Sequence, residues 1–293
     1  MQRLPKVKAN LNIEQALAFG ENQLADLASE LISPRVDVRH LLCSCLEVER
    51  SYLMTWPEKL LSPQQTTRFE SMLKRRLNGE PVAYIVGHQG FWDLDLLVSS
   101  HTLIPRADTE ILVELALELG SQAQQILDLG TGTGAIALAL AKELPNAKVL
   151  GLDFFVEVIT LANANANRNQ ISNVEFHQSD WFSILSSKDH DRFDLIVSNP
   201  PYIDADDPHL SQGDVRFEPT SALSAADQGY ADLQLIIERS RLFLKPGAWL
   251  LLEHGFQQSE QVAERMQFAG FKNVSNHLDF GGNPRVTVGQ FID

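Results

Sequence analysis

A proline-rich turn holds the residues with the most specific chemistry in this sequence. The segment reads Asn199-Pro200-Pro201-Tyr202 and follows an apolar run, residues 193–198, that is typical of a buried strand. Proline lacks an amide hydrogen and fixes φ, so the strand must end there in a stiff turn. The oxygen of Asn199 and the carbonyl of Pro200 can both accept hydrogen bonds from a planar NH2 group, with the ring of Tyr202 packed beside it. The alternative is a turn that merely ends the strand.

A second motif indicates a nucleotide-like cofactor. A short apolar run, residues 125–129, leads into a glycine-rich loop and then into a helical pattern that starts at Ala135. The loop consists of Gly130, Thr131, Gly132, Thr133 and Gly134. In a strand–loop–helix unit such glycines let the backbone approach a cofactor closely, which makes these residues candidates for cofactor binding.

Asp153 is the candidate for binding a ribose. It ends another apolar run, residues 148–152, and lies 19 residues after Gly134. A carboxylate at that strand end can accept from both ribose hydroxyls. The loop also satisfies the Gly-x-Gly-x-x-Gly/Ala pattern, so by itself it leaves nicotinamide or flavin cofactors and S-adenosylmethionine open. The proline turn favours S-adenosylmethionine, because a methyltransferase acting on an amine or amide needs a grip on NH2 and a dehydrogenase does not.

Composition limits the remaining possibilities. The chain has 293 residues, 44% of them hydrophobic, which suffices for two domains or one large one. We find no apolar run of membrane-spanning length, and the basic segment Met1–Lys8 lacks the apolar stretch of a secretory signal. The net charge of −14 argues against a large nucleic-acid footprint. Cys43 and Cys45 point to different sides of a predicted helix, which predicts neither a disulfide nor a metal site and favours a reducing cytoplasm.

Two domains joined by a short linker are predicted. Residues 1–80 are expected to form a helical substrate-recognition domain, since apolar residues recur at helical spacing at Ile13, Leu17, Leu24, Leu27 and Leu31. Residues 81–105 are expected to form a linking β-hairpin, with strands over 82–87 and 91–98. Residues 106–293 are then the catalytic domain.

Alternating strands and helices from about residue 121 onward predict a mostly parallel sheet covered on both faces. The predicted segments are 125–129, 135–144, 147–153, 155–168, 173–177, 181–186, 193–198, 231–244, 248–254, 257–269, 272–279 and 285–291. The turn Gly281-Gly282-Asn283 predicts that the last two segments form an antiparallel hairpin. Ligands bind at the carboxyl ends of such strands, so the glycine loop after the first strand and the proline turn after the fourth are expected to meet.

Several residues near these motifs have two interpretations. Asp108 or Thr109 is a candidate helix cap, and Arg106 and Glu110 are predicted to form a surface ion pair rather than to face the site. Phe91 could line the pocket or pack within the hairpin.

With both motifs placed, the chain resembles the HemK/PrmC family, the protein-(glutamine-N5) methyltransferases of peptide chain release factors. The matching motifs are residues 80–85, 103–110, 128–134, 194–202, 218–219 with 222–223, and 251–255. Two departures stand out, since the family usually has Pro-Glu in place of Ala107-Asp108 and Ser-Pro in place of Phe154-Phe155. The second departure lies beside the ribose candidate and could alter cofactor affinity.

The resemblance implies a fold, a reaction and a site. The fold is α/β, a Rossmann-like class I S-adenosylmethionine-dependent methyltransferase sheet ending in an antiparallel hairpin, with a small N-terminal helical bundle. The reaction is methyl transfer from S-adenosylmethionine to the glutamine of the Gly-Gly-Gln motif in class 1 release factors. The protein is expected to be a cytoplasmic monomer that binds no nucleic acid, membrane or metal directly. Asn199, Pro200 and Tyr202 would be catalytic, with Pro201 also contacting substrate, and Asn199 would also contact the cofactor.

Asp180-Trp181 resembles the family's adenine site, with the acid for the exocyclic amine and the ring as a wall. Core packing of Trp181 is an equal alternative. Two other functions use the same motifs: a methyltransferase of a flipped nucleobase stacked on Tyr202, and a cofactor-binding regulator without catalysis. A dehydrogenase is a more distant third.

Overall fold

A computed structural model describes residues 10–27 and 33–292. By its contacts the chain divides into two compact units, one ending at Gly87 and the other beginning at His88. The basic tail, Met1–Lys8, and Leu31 of the predicted helical stripe lie outside the described residues. Within the described ranges, no helix is both long enough and apolar enough to cross a membrane.

The first unit is helical, as predicted. Its helices are α1 (Ile13–Leu24), α2 (Pro34–Leu46), α3 (Arg50–Thr55), α4 (Pro63–Leu77) and α5 (Val82–Val86). Reciprocal capping boxes begin α1 at Asn12 and α4 at Ser62, where each polar side chain satisfies an otherwise unpaired amide of the first turn. Apolar faces of these helices enclose a core around Phe69, which is fully buried.

The predicted strand over residues 82–87 is wrong, because this segment forms α5. Pro81 stands at its N-cap, and Gly87, with φ of 87°, ends it by donating its amide to the carbonyl of Ala83 at 2.8 Å. A five-residue apolar stretch is too short for its period to separate helix from strand. The hairpin instead pairs β1 (His88–Phe91) with β2 (Leu94–Leu97) across a tight turn, and it belongs to the second unit.

The second unit holds, within the described residues, a seven-stranded sheet flanked by helices. Its strands in chain order are β3 (Gln125–Leu129), β4 (Lys148–Asp153), β5 (Val174–Gln178), β6 (Phe193–Ser198), β9 (Leu244–Glu253), β10 (Lys272–Leu278) and β11 (Pro284–Gln290). A separate small pair joins β7 (Ile203–Asp204) to β8 (Ser224–Ala225). The helices are α6 (Glu110–Leu119), α7 (Ala135–Glu143), α8 (Val156–Arg168), α9 (Ala226–Gly229), α10 (Ala231–Ser240) and α11 (Ser259–Phe268).

The strand order is β10-β11-β9-β6-β3-β4-β5, and all neighbours are parallel except β11, which runs antiparallel to both β9 and β10. This confirms the predicted fold and its terminal hairpin. The element predicted over residues 181–186 is absent, since residues 181–184 form a turn and residues 185–186 are irregular. Trp181 has φ of 46°, a left-handed conformation that interrupts regular structure.

Strands β3 and β6 are neighbours, as the positions of the two motifs require. Their register pairs Leu129 with Ser198, the last residues before the glycine loop and the proline turn. Both strands are buried on both faces, with apolar clusters on either side, so their ends are held firmly. The two motifs therefore leave the sheet side by side.

Candidate active site

A cavity of about 290 Å³ opens at the carboxyl ends of β3, β4 and β6. The sequence-predicted residues that line it are Gly130, Thr131, Gly132, Thr133, Asp153, Asp180, Trp181, Asn199 and Pro201. Gly134, Pro200 and Tyr202 are not among the described lining residues. The fold thus brings most of the predicted residues of both motifs to one cavity.

Two glycines of the loop, Gly132 and Gly134, have different structural roles. Gly132 has φ of 55°, and a Cβ built there would meet nothing within 4 Å in the described part of the chain. Gly134 has φ of 83°, and a Cβ there would lie 3.0 Å from the ring of Phe176. Gly132 therefore leaves room for a ligand against the backbone, whereas Gly134 allows α7 to pack against the sheet.

Asp153 is held in place by the backbone. Its Oδ2 accepts from the amide of Gly132 at 3.0 Å, and its Oδ1 accepts from the amide of Phe155 at 3.3 Å. Burial raises the pKa of this carboxyl, while the backbone amides oppose the rise. Each oxygen keeps a second lone pair for a ligand, so the carboxylate at the cavity wall suits a ribose diol.

Sequence analysis did not single out Asp128, a fully buried acid beneath the loop. The hydroxyl of Thr131 donates to its Oδ2 at 2.7 Å, and Oδ1 has no hydrogen-bond partner among the described residues. Burial raises the pKa of Asp128 to about 7, and the Thr131 hydroxyl opposes that rise. An acid within an otherwise apolar run was the available signal, since such a residue is seldom buried without a purpose.

Trp181 lies both at the cavity and against the core. The ring lines the cavity and also packs against one of the two apolar clusters, and a Cβ at Gly130 would lie 3.6 Å from it. Burial raises the pKa of Asp232, and a hydrogen bond from Trp181 opposes the rise. Asp232 also lines the cavity, although its position on α10 carries no motif. Phe91 likewise lines the cavity while only 2% exposed within the core.

The proline turn presents Asn199 to the cavity from one side. The Asn199 amide Nδ2 donates to the hydroxyl Oγ1 of Thr109 at 3.2 Å. Pro200 is buried, and the hydroxyl of Tyr202 points to Glu253, with Tyr202 Oη and Glu253 Oε1 3.4 Å apart. Burial raises the pKa of the Tyr202 phenol well above its usual range.

A left-handed turn supports the proline turn from behind. Asp227 and Gln228 both have φ of 55°, and Gly229 has φ of 85°. A Cβ on Gly229 would lie 2.1 Å from the carbonyl oxygen of Tyr202, so only glycine fits there. The same carbonyl accepts from Gln258 Nε2 at 3.1 Å. The backbone of the proline turn is therefore fixed by neighbours far away in sequence.

The predicted surface ion pair between Arg106 and Glu110 is wrong. Arg106 lines the cavity and pairs with Glu218, whose side chain is fully buried and which also accepts from the amide of Ile104 at 3.0 Å. Glu110 accepts from the amide of Trp92 at 2.8 Å. The i, i+4 spacing favoured a local pair, but the loop that carries Glu218 folds over Arg106.

Thr109 also differs from its predicted role. It stands at the N-cap position of α6, but its hydroxyl accepts from Asn199 instead of from the helix. The hydroxyl therefore belongs to the cavity wall.

A glycine-loop cavity with an acid at the next strand end is typical of cofactor sites in open α/β sheets, and the match to a methyltransferase family model makes this chain an S-adenosylmethionine-dependent methyltransferase. A model described as "Methyltransferase domain" matches residues 121–279, and one described as "PrmC N-terminal domain" matches residues 15–87. A methyltransferase structure from Pyrococcus furiosus shares the fold, with a TM-score of 0.51 and 18% identity over 76% of this chain and 100% of its own. The hMettl16 catalytic domain has a TM-score of 0.56 and 14% identity, covering 78% of this chain and 81% of its own.

Curated relatives are similar over nearly the whole chain. The "Release factor glutamine methyltransferase" of Aliivibrio fischeri is 54% identical, covering 97% of this chain and 99% of that protein. The protein of the same name from Escherichia coli is 49% identical, covering 88% of this chain and 93% of that protein. The chain belongs to the release factor glutamine methyltransferase family.

Proposed function

We propose that this protein transfers a methyl group from S-adenosylmethionine to the side-chain N5 of the glutamine in the Gly-Gly-Gln motif of class 1 peptide chain release factors. One observation carries the proposal: Asn199, the amide acceptor of the proline turn, lines the same cavity as the glycine loop and Asp153. Family membership supports a release factor as the substrate.

The cavity residues fit the cofactor. The open backbone at Gly132 suits the amino-acid part, and Asp153 suits the ribose diol. Asp180 and Trp181 are proposed to bind adenine, the acid through the exocyclic amine and the ring as a wall. S-adenosylmethionine supplies an electrophilic methyl group on a positively charged sulfur when it is bound.

The proposed task of the proline turn is to orient an amide nitrogen. That nitrogen is a poor nucleophile because its lone pair is delocalised into the carbonyl. Asn199 Oδ1 and the Pro200 carbonyl would each accept one of its two hydrogens, while Pro201 and the Tyr202 ring pack against the substrate. Fixed acceptors beside the nitrogen hold it in an aligned position and stabilise the positive charge that develops there during transfer.

Because the fixed acceptors stabilise the transition state, no strong base is needed to deprotonate the amide nitrogen before transfer. The nitrogen would keep both hydrogens until the carbon–nitrogen bond forms and the methyl–sulfur bond of the donor breaks, which leaves a neutral thioether. One hydrogen would then leave to solvent as a proton. The side chains that accept these hydrogens are neutral, so they favour the transition state without themselves changing charge.

The remaining assignments follow from the proposed substrate. Residues 1–80 would recognise the release factor, residues 81–105 would link the domains, and the protein would act as a monomer in the cytoplasm, where release factors work. With a net charge of −14, it would methylate the factor without direct contact to nucleic acid.

The test is methyl transfer from labelled S-adenosylmethionine to a purified class 1 release factor. The same factor with the Gly-Gly-Gln glutamine changed to alanine is the matched control. Label is expected on the first and absent from the second. Asn199→Ala is expected to abolish it, whereas binding of the cofactor, measured by calorimetry, should only weaken, because the glycine loop and Asp153 remain.

A flipped-base methyltransferase would give the opposite pattern. Label on DNA or ribosomal RNA, with both release factors unlabelled, would refute the proposal. Label on both factors would keep the enzyme class but reject the glutamine as the target.

A further inference from the structure

The acid that ends β9 lies next to the proline turn in the sheet. The parallel register of β6 and β9 pairs Ser198 with Leu252, so the residues that follow, Asn199 and Glu253, leave the two strands side by side. Glu253 is 2% exposed and is not among the described residues that line the cavity. Any effect of Glu253 on the cavity must therefore pass through its neighbours.

Glu253 is buried with few partners. Tyr202 donates to its Oε1 at 3.4 Å, and Oε2 has no hydrogen-bond partner within residues 10–27 and 33–292. Burial raises the pKa of Glu253 to about 7, and the hydroxyl of Thr109 and the charge of Arg285 oppose that rise. A carboxylate in such a place draws strongly on any hydroxyl hydrogen nearby.

The Thr109 hydroxyl interacts with both Glu253 and Asn199: it accepts from Asn199, and it lowers the pKa of Glu253 against the effect of burial. Its single hydroxyl hydrogen can go to only one acceptor, and an ionised carboxylate can only accept. When that hydrogen is directed to Glu253, Oγ1 has lone pairs left for Asn199 Nδ2, which lies 3.2 Å away. If the Asn199 amide were rotated by 180°, its Oδ1 would face Thr109 Oγ1, which has no hydrogen left to donate to it.

The orientation of this amide decides what the turn can hold. With Nδ2 bound to Thr109, the oxygen Oδ1 is the group that can accept from an NH2 in the cavity. With the amide reversed, two NH2 groups would face each other and neither could accept. Which atom of Asn199 faces an NH2 group in the cavity thus depends on where the Thr109 hydroxyl directs its hydrogen.

We propose that Glu253, acting through the hydroxyl of Thr109, is a positioning residue that keeps the oxygen of Asn199 turned toward the substrate nitrogen. This role rests on the proposed function, since it assumes an NH2 group as the methyl acceptor. Glu253 touches neither substrate nor cofactor, so it is not a catalytic residue. Protonation of Glu253 would give it a hydrogen to donate, free the Thr109 hydroxyl to donate to Oδ1, and permit the reversed amide.

Substitutions at Thr109 test the geometry. Thr109→Val keeps the shape and removes the hydroxyl, whereas Thr109→Ser keeps the hydroxyl. We expect kcat on the release factor to fall by about 10- to 100-fold in Thr109→Val and to be largely restored in Thr109→Ser. Cofactor affinity, measured by calorimetry, should change by less than about 3-fold in both. Equal kcat in the two variants would overturn the proposal.

The pH profile tests the acid without altering the cavity wall. In the wild type, kcat should fall as the pH drops through the pKa of Glu253, about 7. Glu253→Gln should lower kcat and remove this fall, because its amide carries no charge at any pH. The titratable and charged groups that face Glu253 are Tyr202, Arg285 and Asp108, and all three remain in the variant. A variant with the wild-type kcat and the same acid fall would contradict the role.

The wild-type enzyme on the same release factor separates the two proposals. Label in the wild type with no difference between Thr109→Val and Thr109→Ser rejects the positioning role alone. Absence of label in the wild type rejects the proposed function, and the positioning role with it.

Discussion

Gly229→Ala is expected to damage both stability and catalysis, although Gly229 carries no side chain and is not among the described cavity-lining residues. The added Cβ would lie 2.1 Å from the carbonyl oxygen of Tyr202. A carbon–oxygen contact normally measures about 3.3 Å, so the proline turn and the left-handed turn must separate by about 1.2 Å. Because Tyr202 ends the proline turn, the displacement reaches Asn199.

Gly247→Ala is the matched control. Gly247 has φ of 86°, against 85° for Gly229, and its added Cβ would meet nothing within 4 Å in the described residues. Both substitutions force alanine into a left-handed conformation, which costs about 1–2 kcal/mol. Gly229→Ala adds an overpacking cost of about 1–3 kcal/mol, so its loss of unfolding free energy should total about 2–5 kcal/mol.

The assays are urea unfolding of both variants and steady-state methylation of the release factor. Gly247→Ala should keep the wild-type kcat, whereas Gly229→Ala should lower it by about 100-fold, the effect expected of a displacement of about 1 Å at a positioning group. Cofactor affinity should stay within about 3-fold of wild type in both, because the glycine loop does not move. Equal unfolding free energies and equal kcat in the two variants would refute the idea that the left-handed turn supports the proline turn.

Three further substitutions test a buried acid, a cavity-lining acid and the acid that pairs with a buried arginine. Burial raises the pKa of Asp128 to about 7, so the folded chain keeps a proton that the unfolded chain releases near pH 4. The unfolding free energy of the wild type should therefore fall as the pH rises from about 4 to 7, by up to about 4 kcal/mol relative to Asp128→Asn. Urea titrations of both proteins at each pH measure this difference. Asp153→Asn should weaken cofactor binding by about 10- to 100-fold in calorimetry, since a charged acceptor for the ribose is lost, and unchanged affinity would reject the ribose assignment. Asp37→Ala should destabilise the helical unit by about 3–5 kcal/mol in thermal unfolding, because the buried Arg76 loses that partner. Arg76 is 2% exposed, and its Nε lies 2.7 Å from Asp37 Oδ2. A loss below about 1 kcal/mol would contradict this.

Local pattern predicted most of the second unit. Long apolar runs such as residues 193–198 are unambiguous when they lie between turn residues, and the predicted β6 matches the observed strand. The short stretch Val82–Val86 was predicted as a strand and forms a helix, since five apolar residues satisfy either period. The element predicted over residues 181–186 is wrong too, and Trp181 in this segment has a left-handed backbone conformation.

The sequence by itself determined which groups of this protein are suited to chemistry. The prolines that end a strand beside an amide, the glycines that open a loop and the acid at the next strand end have properties set by their covalent structure, so their types and spacing suffice to indicate an amine grip and a cofactor loop. Family resemblance drew on the same local motifs.

Only the tertiary structure decided how these groups are oriented. Thr109 reaches Asn199, Arg106 pairs with Glu218, and the backbone of Gly229 fixes the carbonyl of Tyr202. These partners lie on separate loops that meet only after the sheet has formed. No periodicity or propensity records such a meeting, because it depends on strand order, register and the path of each loop over the carboxyl edge of the sheet.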